Sequence, residues 1–402
     1  MTRAWGVVAL MWVAYFLNYT DRQLVFSIFQ AFRTELRFTE TQLGWVGTTF
    51  LWVYAVMSPI AGQIGDRVSK RSLVVGSLVL WSAATALTGL AQSPAAVLGC
   101  RALIGVVEGL FMPAAVALTA GAFGPEGRSR AIGIFSTAQL AGVVMGGSFG
   151  GWMAEHHHWR WAFYSLGIAG ILYAVPYRTL LRTACDEPPP EPRGTFSVAE
   201  LVRVPSYGAL CLIFPMFCFA LWLVYAWLPD YFRERFHLGM GDAGFAATAY
   251  PQAATLVGML LGGAGADGFY RRTPAARFWL LTAGLIIVAP SLYVLARADS
   301  FGLAKAAAAG FGVGCGLFMA NVFPSAFDVV PHGVRASAVG CLNLLGGLVS
   351  GVASWLGGEY RETVGIPALM TIAAGLCLGG AVVLVAGVRL FFARDHARLA
   401  AT

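Results

Sequence analysis

Asp21, Arg22, Arg101 and Glu108 are ionisable side chains set inside apolar sequence. The first two lie in ALMWVAYFLNYTDRQLVFSIF and the last two in AAVLGCRALIGVVEGLFMPAA. Both stretches are long enough to cross a bilayer. A charge at membrane depth costs several kcal/mol, roughly 2.5–3.5 on insertion scales, and such residues face a protein interior or a path for ions and substrate. An arginine stays charged inside a protein and its planar fork matches a carboxylate through two hydrogen bonds, so Arg22 or Arg101 is the natural anchor for an anion. Asp21 and Glu108 can lose their charge by taking a proton, which burial favours. Arg101 and Glu108 are seven residues apart, about two helical turns, and share a helix face. The chemistry expected is proton-coupled handling of a small anion.

The rest of the chain is built to hold such a quartet in a membrane. Of 402 residues, 58% are apolar and 12% charged, against about 25% charged in soluble domains. Mean hydropathy is +0.69. That length supplies about twelve spans of roughly 20 residues each. The expected spans are 4–30, 43–64, 72–92, 95–122, 130–154, 161–181, 205–229, 243–266, 275–296, 301–323, 335–357 and 365–392. All are expected to be helical, because a backbone in lipid must satisfy its own hydrogen bonds. The apolar start lacks a small-residue cleavage site and reads as a retained first span rather than a signal peptide. The segment RTACDEPPPEPRGTFSVAELVR is rich in proline and acid, and is expected to be a cytoplasmic linker (182–203) between an N-terminal six-helix bundle (1–181) and a C-terminal one (204–402).

The two parts echo each other. GQIGDRVSKR at 62–71 returns as GGAGADGFYRR at 262–272, and GLFMPAA at 109–115 as GLFMANV at 316–322. At the offset of the second pair Arg101 aligns with Ala308 and Glu108 with Cys315, so the charge chemistry is expected in the first half alone. Parallel halves around a central site are a pattern of secondary carriers.

The net charge of +7 follows the positive-inside rule rather than any affinity for nucleic acid. With the N-terminus in the cytoplasm, 17 Lys and Arg fall inside and 8 outside, and Arg22 and Arg101 complete the 27. Both termini are therefore expected in the cytoplasm. The seven cysteines have no metal-site spacing, and His156-His157-His158 reads as a solvated external loop. No phosphate-binding GxxxxGK[ST] loop occurs, so ATP drive is not expected. Neither are a cofactor, a metal, or an enzyme's nucleophile–base pair.

With these motifs the chain resembles the major facilitator superfamily over its whole length, through GQIGDRVSKR, its degenerate second copy and the twelve-span plan. Within it the chain looks most like the anion:cation symporters, which include bacterial sugar-acid carriers. The matching residues are Asn18-Tyr19-Thr20-Asp21-Arg22, Arg101-x6-Glu108-x4-Pro113, Trp159-Arg160-x2-Phe163 and Tyr225-Ala-Trp-Leu-Pro-Asp-Tyr231. Asp66-Arg67-x2-Lys70-Arg71 also looks like the spinster-type lipid carriers. The resemblance implies an all-α fold of two pseudo-symmetric six-helix bundles around a central cavity. It implies Asp21 and Glu108 as proton sites and Arg22 as a substrate contact, with Arg101, Tyr19, Tyr54, Gln139 and Asn343 on the cavity wall. It further implies that Asp66, Arg67 and Arg71, joined by Arg130, latch the halves in the outward-open state. The expected protein is a monomeric symporter of a sugar acid or other carboxylate in a bacterial inner membrane, with protons and membrane lipid as its other partners. The alternatives are a lysolipid or drug exporter and a non-transporting sensor.

Overall fold

The computed structural model describes residues 2–65, 68–123, 125–184, 201, 204–331 and 334–400. Among them are twelve helices of twenty residues or more: α1 (Thr2–Leu24), α2 (Glu40–Gly65), α3 (Lys70–Gly89), α4 (Pro94–Gly121), α5 (Pro125–His156), α6 (Trp159–Ala184), α7 (Pro205–Phe236), α8 (Met240–Tyr270), α9 (Ala276–Arg297), α10 (Phe301–Phe327), α11 (Arg335–Glu359) and α12 (Ile366–Gly387). No strand occurs among the described residues. Eight of these helices are long and apolar enough to cross a membrane by length and composition. Leu172, Val175, Leu260, Val382 and Leu390 are each about two-thirds exposed, as suits helices whose outer faces meet lipid rather than water.

The first span departs from expectation. Its α-helix stops at Leu24, tightens into a 3₁₀ turn over Val25–Ile28, and resumes as a short helix, Phe29–Leu36. All four residues of the turn are buried. That short helix ends on Arg37 in the left-handed conformation (φ 55°), whose N–H reaches back to the Phe32 carbonyl.

The described residues divide into two compact units: those within 1–192 together with 225–248, and those within 193–224 together with 249–402. In the first unit α1 packs against α5, α2 against α4, and α3 against α4 and α6. Its core gathers Met11, Tyr15, Trp81, Phe111, Phe135 and Tyr177. The α1–α5 contact is close because α5 turns a row of glycines toward α1. A methyl group on Gly142 would stand 2.6 Å from the Phe16 carbonyl oxygen and 2.8 Å from Tyr19 Cβ, and one on Gly150 would stand 2.8 Å from the Leu24 carbonyl oxygen. In the second unit α9 packs against α10 and α12, and Phe217 stacks on Phe318 at 4.1 Å.

The repeat read from GLFM persists in the packing at an offset of 207 residues. Ser93 caps α4 by accepting from the Ala96 N–H, and Ser300 caps α10 by accepting from the Leu303 N–H. Gly105 and Gly109 lie against the backbone and side chains of α2 at Phe50–Met57, as Gly312 and Gly316 lie against α8 at Pro251–Met259. Each unit thus seats its cap-and-glycine helix on a neighbour in the same way.

Candidate functional site: a buried charge quartet

The close helix contacts of the first unit bring the four charges together in its interior. Asp21, Arg22, Arg101 and Glu108 are 2%, 5%, 1% and 0% exposed. The quartet has no net formal charge, which lowers the cost of burying it.

Arg22 and Glu108 form its tightest link: Arg22 Nε donates to Glu108 Oε2 at 2.6 Å. The Arg22 guanidinium is also enclosed by aromatic rings, with ring centres at 4.8 Å for Tyr19, 4.9 Å for Phe50 and 4.6 Å for Tyr54. Tyr19 lies three residues before Arg22 on α1, while Phe50 and Tyr54 are four apart on α2, so each pair follows one helix face. Phe50 also carries the second arginine, whose guanidinium carbon lies 4.6 Å from its ring centre. One fully buried phenyl ring therefore serves two guanidinium groups. Arg101 is further held by a 3.4 Å hydrogen bond from Nε to the Val46 carbonyl.

Asp21 is adjacent to Arg22 in sequence but points elsewhere, as successive helical residues must. It lines a small internal cavity with Leu17, Trp81, Ser82, Thr85 and Leu166. Neither of its oxygens makes a hydrogen bond, and the Thr85 hydroxyl donates to the Trp81 carbonyl. The quartet thus consists of a bonded pair, Arg22–Glu108, with Arg101 on the same Phe50 ring and Asp21 buried at a small cavity.

Several buried polar atoms of the site lack partners: both oxygens of Asp21, Nη2 of Arg22, both Nη atoms of Arg101, Oε1 of Glu108 and both amide atoms of Asn18. Orphaned buried groups are rare and each asks for an explanation, a functional one among them. Here the vacant capacity includes three cationic nitrogens and three carboxylate oxygens, suited to an anion and to protons.

Of the other expected site residues, Tyr19 and Tyr54 join the quartet as the aromatic wall. Gln139 adjoins it: its Oε1 accepts from the Tyr15 hydroxyl at 3.2 Å, and Tyr15 lies edge-on to Tyr19. Asn343 is an exposed residue of α11, in the second unit. Asp66 and Arg67 lie outside the described residues. Arg71 sits in the first turn of α3. Arg130 is exposed on α5, its guanidinium 5.7 Å from the Trp5 ring centre.

A second charged cluster lies outside the expected site residues. It lies at the far end of the first unit, opposite the start of α1. Arg33 bonds Glu40 through Nε at 2.6 Å and Asp230 through Nη2 at 2.6 Å and Nη1 at 2.9 Å. Arg233 shares Asp230 at 3.4 Å and donates to Gln30 Oε1 at 3.1 Å. Burial works against the Arg33 charge, but Glu40 and Asp230 outweigh it and raise its pKa above the ordinary arginine value. A signal for this cluster lies in the sequence: Phe32-Arg33 and Phe232-Arg233 are 200 residues apart. At the same offset Arg37 and His237 both end a helix in the left-handed conformation.

Comparison with known proteins agrees with this architecture. An MFS-type efflux pump of Mycolicibacterium smegmatis is 28% identical over 301 residues, 72% of this chain and 68% of that protein. The D-galactonate transporter of Escherichia coli is 25% identical over 312 residues, 68% of this chain and 71% of that one. The inward-facing, unoccupied crystal structure of a bacterial homolog of the human lysosomal transporter Spinster superposes with a TM-score of 0.77 at 21% identity, covering 98% of both chains. The family model described as Major Facilitator Superfamily matches residues 11–354. The chain is a multi-pass membrane protein, and it belongs to the Major Facilitator Superfamily.

Proposed function

We propose that this protein is a proton-coupled symporter that imports a small organic anion, a sugar acid or other carboxylate, by alternating access. The observation that carries this reading is the Arg22–Glu108 contact of 2.6 Å in a fully buried, aromatic-walled site. A carboxylate already occupies the Arg22 fork from within the protein. Protonation of Glu108 removes its charge and frees the guanidinium for the carboxylate of a substrate. Substrate and proton then enter as a neutral set, since the anion takes the electrostatic place that Glu108 gives up. Asp21 is the second proton site, with Arg101 as its counter-charge, and its unbonded oxygens leave room for a proton. Tyr19, Tyr54, Gln139 and Asn343 supply hydroxyl and amide partners for the rest of the substrate. The likeness to the D-galactonate transporter supports a sugar-acid substrate.

In this reading the first and last bundles are 1–181 and 204–402, joined by 182–203. Both termini face the cytoplasm of a bacterial cell, and the protein works as a monomer in the inner membrane. Asp66, Arg67, Arg71 and Arg130 form the cytoplasmic latch. The Arg33–Asp230 network at the far end closes the outer side.

The test is uptake by proteoliposomes over a panel of sugar acids and dicarboxylates under an imposed pH gradient. Acid outside should drive accumulation of at least one anion. Glu108→Gln and Asp21→Asn should each abolish gradient-driven accumulation, and counterflow exchange should survive in at least one of them. Accumulation driven by sodium alone, or by both variants as by wild type, would overturn the reading. A second reading, proton-exchanging export of lipid or drug, draws on the likeness to the efflux pump. The same vesicles test it, since an exporter would expel lysolipid or dye and leave the organic acids untouched.

A further inference from the structure

Asp21 belongs to the charge quartet, yet it faces a different space from Arg22. The small cavity it lines lies among α1, α3 and α6: Leu17 and Asp21 are on α1, Trp81, Ser82 and Thr85 on α3, and Leu166 on α6. Residues three or four apart share a helix face, so α1 and α3 turn the carboxyl of Asp21 and the hydroxyls of Ser82 and Thr85 into the same space. Asp21, Ser82 and Thr85 are 2%, 2% and 1% exposed. The seam is tight because α6 brings a glycine to it, and a methyl group on Gly170 would overlap the Ser82 hydroxyl. Among the described residues of the lining, Asp21 alone is ionisable. The other charges of the quartet, Arg22 on α1 and Arg101 and Glu108 on α4, are not among its lining residues.

The size and the hydrogen-bonding capacity of this cavity select its occupant. The centre of a water-sized sphere can range over about 10 Å³ in it, which is room for one water and for nothing as large as a hydrated ion or an organic anion. A buried water makes about three hydrogen bonds. Both Asp21 oxygens are without a partner. The Thr85 hydroxyl gives its proton to the Trp81 carbonyl at 2.9 Å, so toward the cavity it can only accept. The Ser82 hydroxyl can turn either way, as donor or acceptor. Resting on the reading of Asp21 as a proton site, we propose that one water bound between Asp21, Ser82 and Thr85 delivers that proton. With Asp21 ionised, the water donates to Asp21 and Thr85 and accepts from Ser82. With Asp21 protonated, the carboxyl donates to the water, which donates to Thr85 and Ser82. In the transfer a proton arriving from solvent bonds to the Ser82 oxygen, the Ser82 proton passes to the water, and a water proton passes to Asp21. Atoms and charge balance, and Ser82 ends turned from donor to acceptor. Thr85 is a positioning residue, a fixed acceptor that orients the water. Proton and anion are then handled on different faces of α1, the proton toward α3 and the anion at Arg22.

The test is infrared difference spectroscopy of the full chain in lipid vesicles, between acid and alkaline buffer, with the proton itself as the ligand. A carboxyl band that appears in acid and is lost in Asp21→Asn assigns Asp21. An O–H stretching band that shifts in water labelled with the heavy oxygen isotope should accompany it. Ser82→Ala and Thr85→Val should each remove that water band and shift the Asp21 carboxyl band, and Thr85→Ser should keep both as in wild type. After a rapid drop in pH, Ser82→Ala should slow the protonation of Asp21 by roughly tenfold or more, the scale of a lost proton-transfer group. An acid spectrum from which Asp21→Asn removes no carboxyl band would overturn Asp21 as a proton site, and this proposal with it. An Asp21 band with no isotope-sensitive water band beside it, or a water band that survives both Ser82→Ala and Thr85→Val, would overturn the bound water alone. A change in the Asp21 band on adding sodium at constant pH would also overturn it, by making the cavity a site for a bare metal ion.

Discussion

At the scale of residues, the site depends on one ring and one ion pair. Phe50 lies under both Arg22 and Arg101, and a desolvated cation–π contact is worth about 2 kcal/mol or more. Phe50→Leu keeps the apolar volume and removes the π face. It should weaken anion uptake by roughly tenfold or more, for a loss of about 1.4 kcal/mol or above, with the protein still inserted and monodisperse. Uptake within twofold of wild type would show that the ring only fills space. The Arg22–Glu108 pair makes a sharper prediction. Removing one partner of a buried pair leaves an uncompensated charge and costs about 3–5 kcal/mol. Arg22→Ala should therefore lower thermal stability in detergent, and adding Glu108→Gln should recover most of the loss, while neither variant transports. A double variant as unstable as Arg22→Ala alone would mean that the pair is not the source of the cost. Aspartate, arginine and glutamate inside apolar runs were legible in the sequence because charges in such places are rare. Their pairing was not. The adjacency of Asp21 and Arg22 says nothing of partners, since one residue turns a helix by about a hundred degrees and sends the two side chains to different neighbours.

At the scale of elements, the α5 glycines decide how near α1 comes and therefore where Tyr19 and Arg22 stand. A methyl on Gly142 meets the Phe16 carbonyl and Tyr19 Cβ, whereas one on Gly133 of the same helix meets nothing within 4 Å. Gly142→Ala should cost about 1–3 kcal/mol through overpacking and depress uptake by moving the aromatic wall. Gly133→Ala should be neutral or stabilising by up to about 1 kcal/mol, the helix propensity difference. Thermal unfolding of the two variants side by side checks this, and equal effects would refute the close-packing role. The twelve helices were readable from hydropathy and length because a backbone in lipid has few choices. The interruption of the first span at Val25–Ile28 was not, since no proline or glycine marks it and the turn is held by packing around four buried side chains.

At the scale of the whole molecule, the expected consequence lies in the balance between states. Arg33 ties the helix Phe29–Leu36 to the last turns of α7 through Asp230, and Arg233 adds a second tie through Gln30. If this network closes one side of the carrier, Asp230→Asn with Arg33→Ala should shift the resting population toward opening on that side. A cysteine replacing the buried Ser27 should then react faster with an impermeant maleimide added from outside, with little change in intrinsic anion affinity. A ligand or a mutation moves such an equilibrium only through its difference between the two states. Unchanged labelling together with unchanged turnover would reduce the network to a structural brace.

The sequence by itself determined the class of molecule, the number of long helices, the repeat and the residues of the charged quartet. Each of these follows from composition, periodicity and the cost of charge in lipid, which act locally along the chain. Tertiary structure decided what those residues do to one another. It set Glu108 rather than Asp21 on Arg22, put one phenyl ring under two guanidinium groups, left Asp21 unbonded beside Thr85, and joined Arg33 to a residue 197 positions away. Such contacts depend on which helix faces meet and at what distance. Those are fixed by the fit of glycines and aromatic side chains across neighbouring helices, and no spacing within a single segment encodes them.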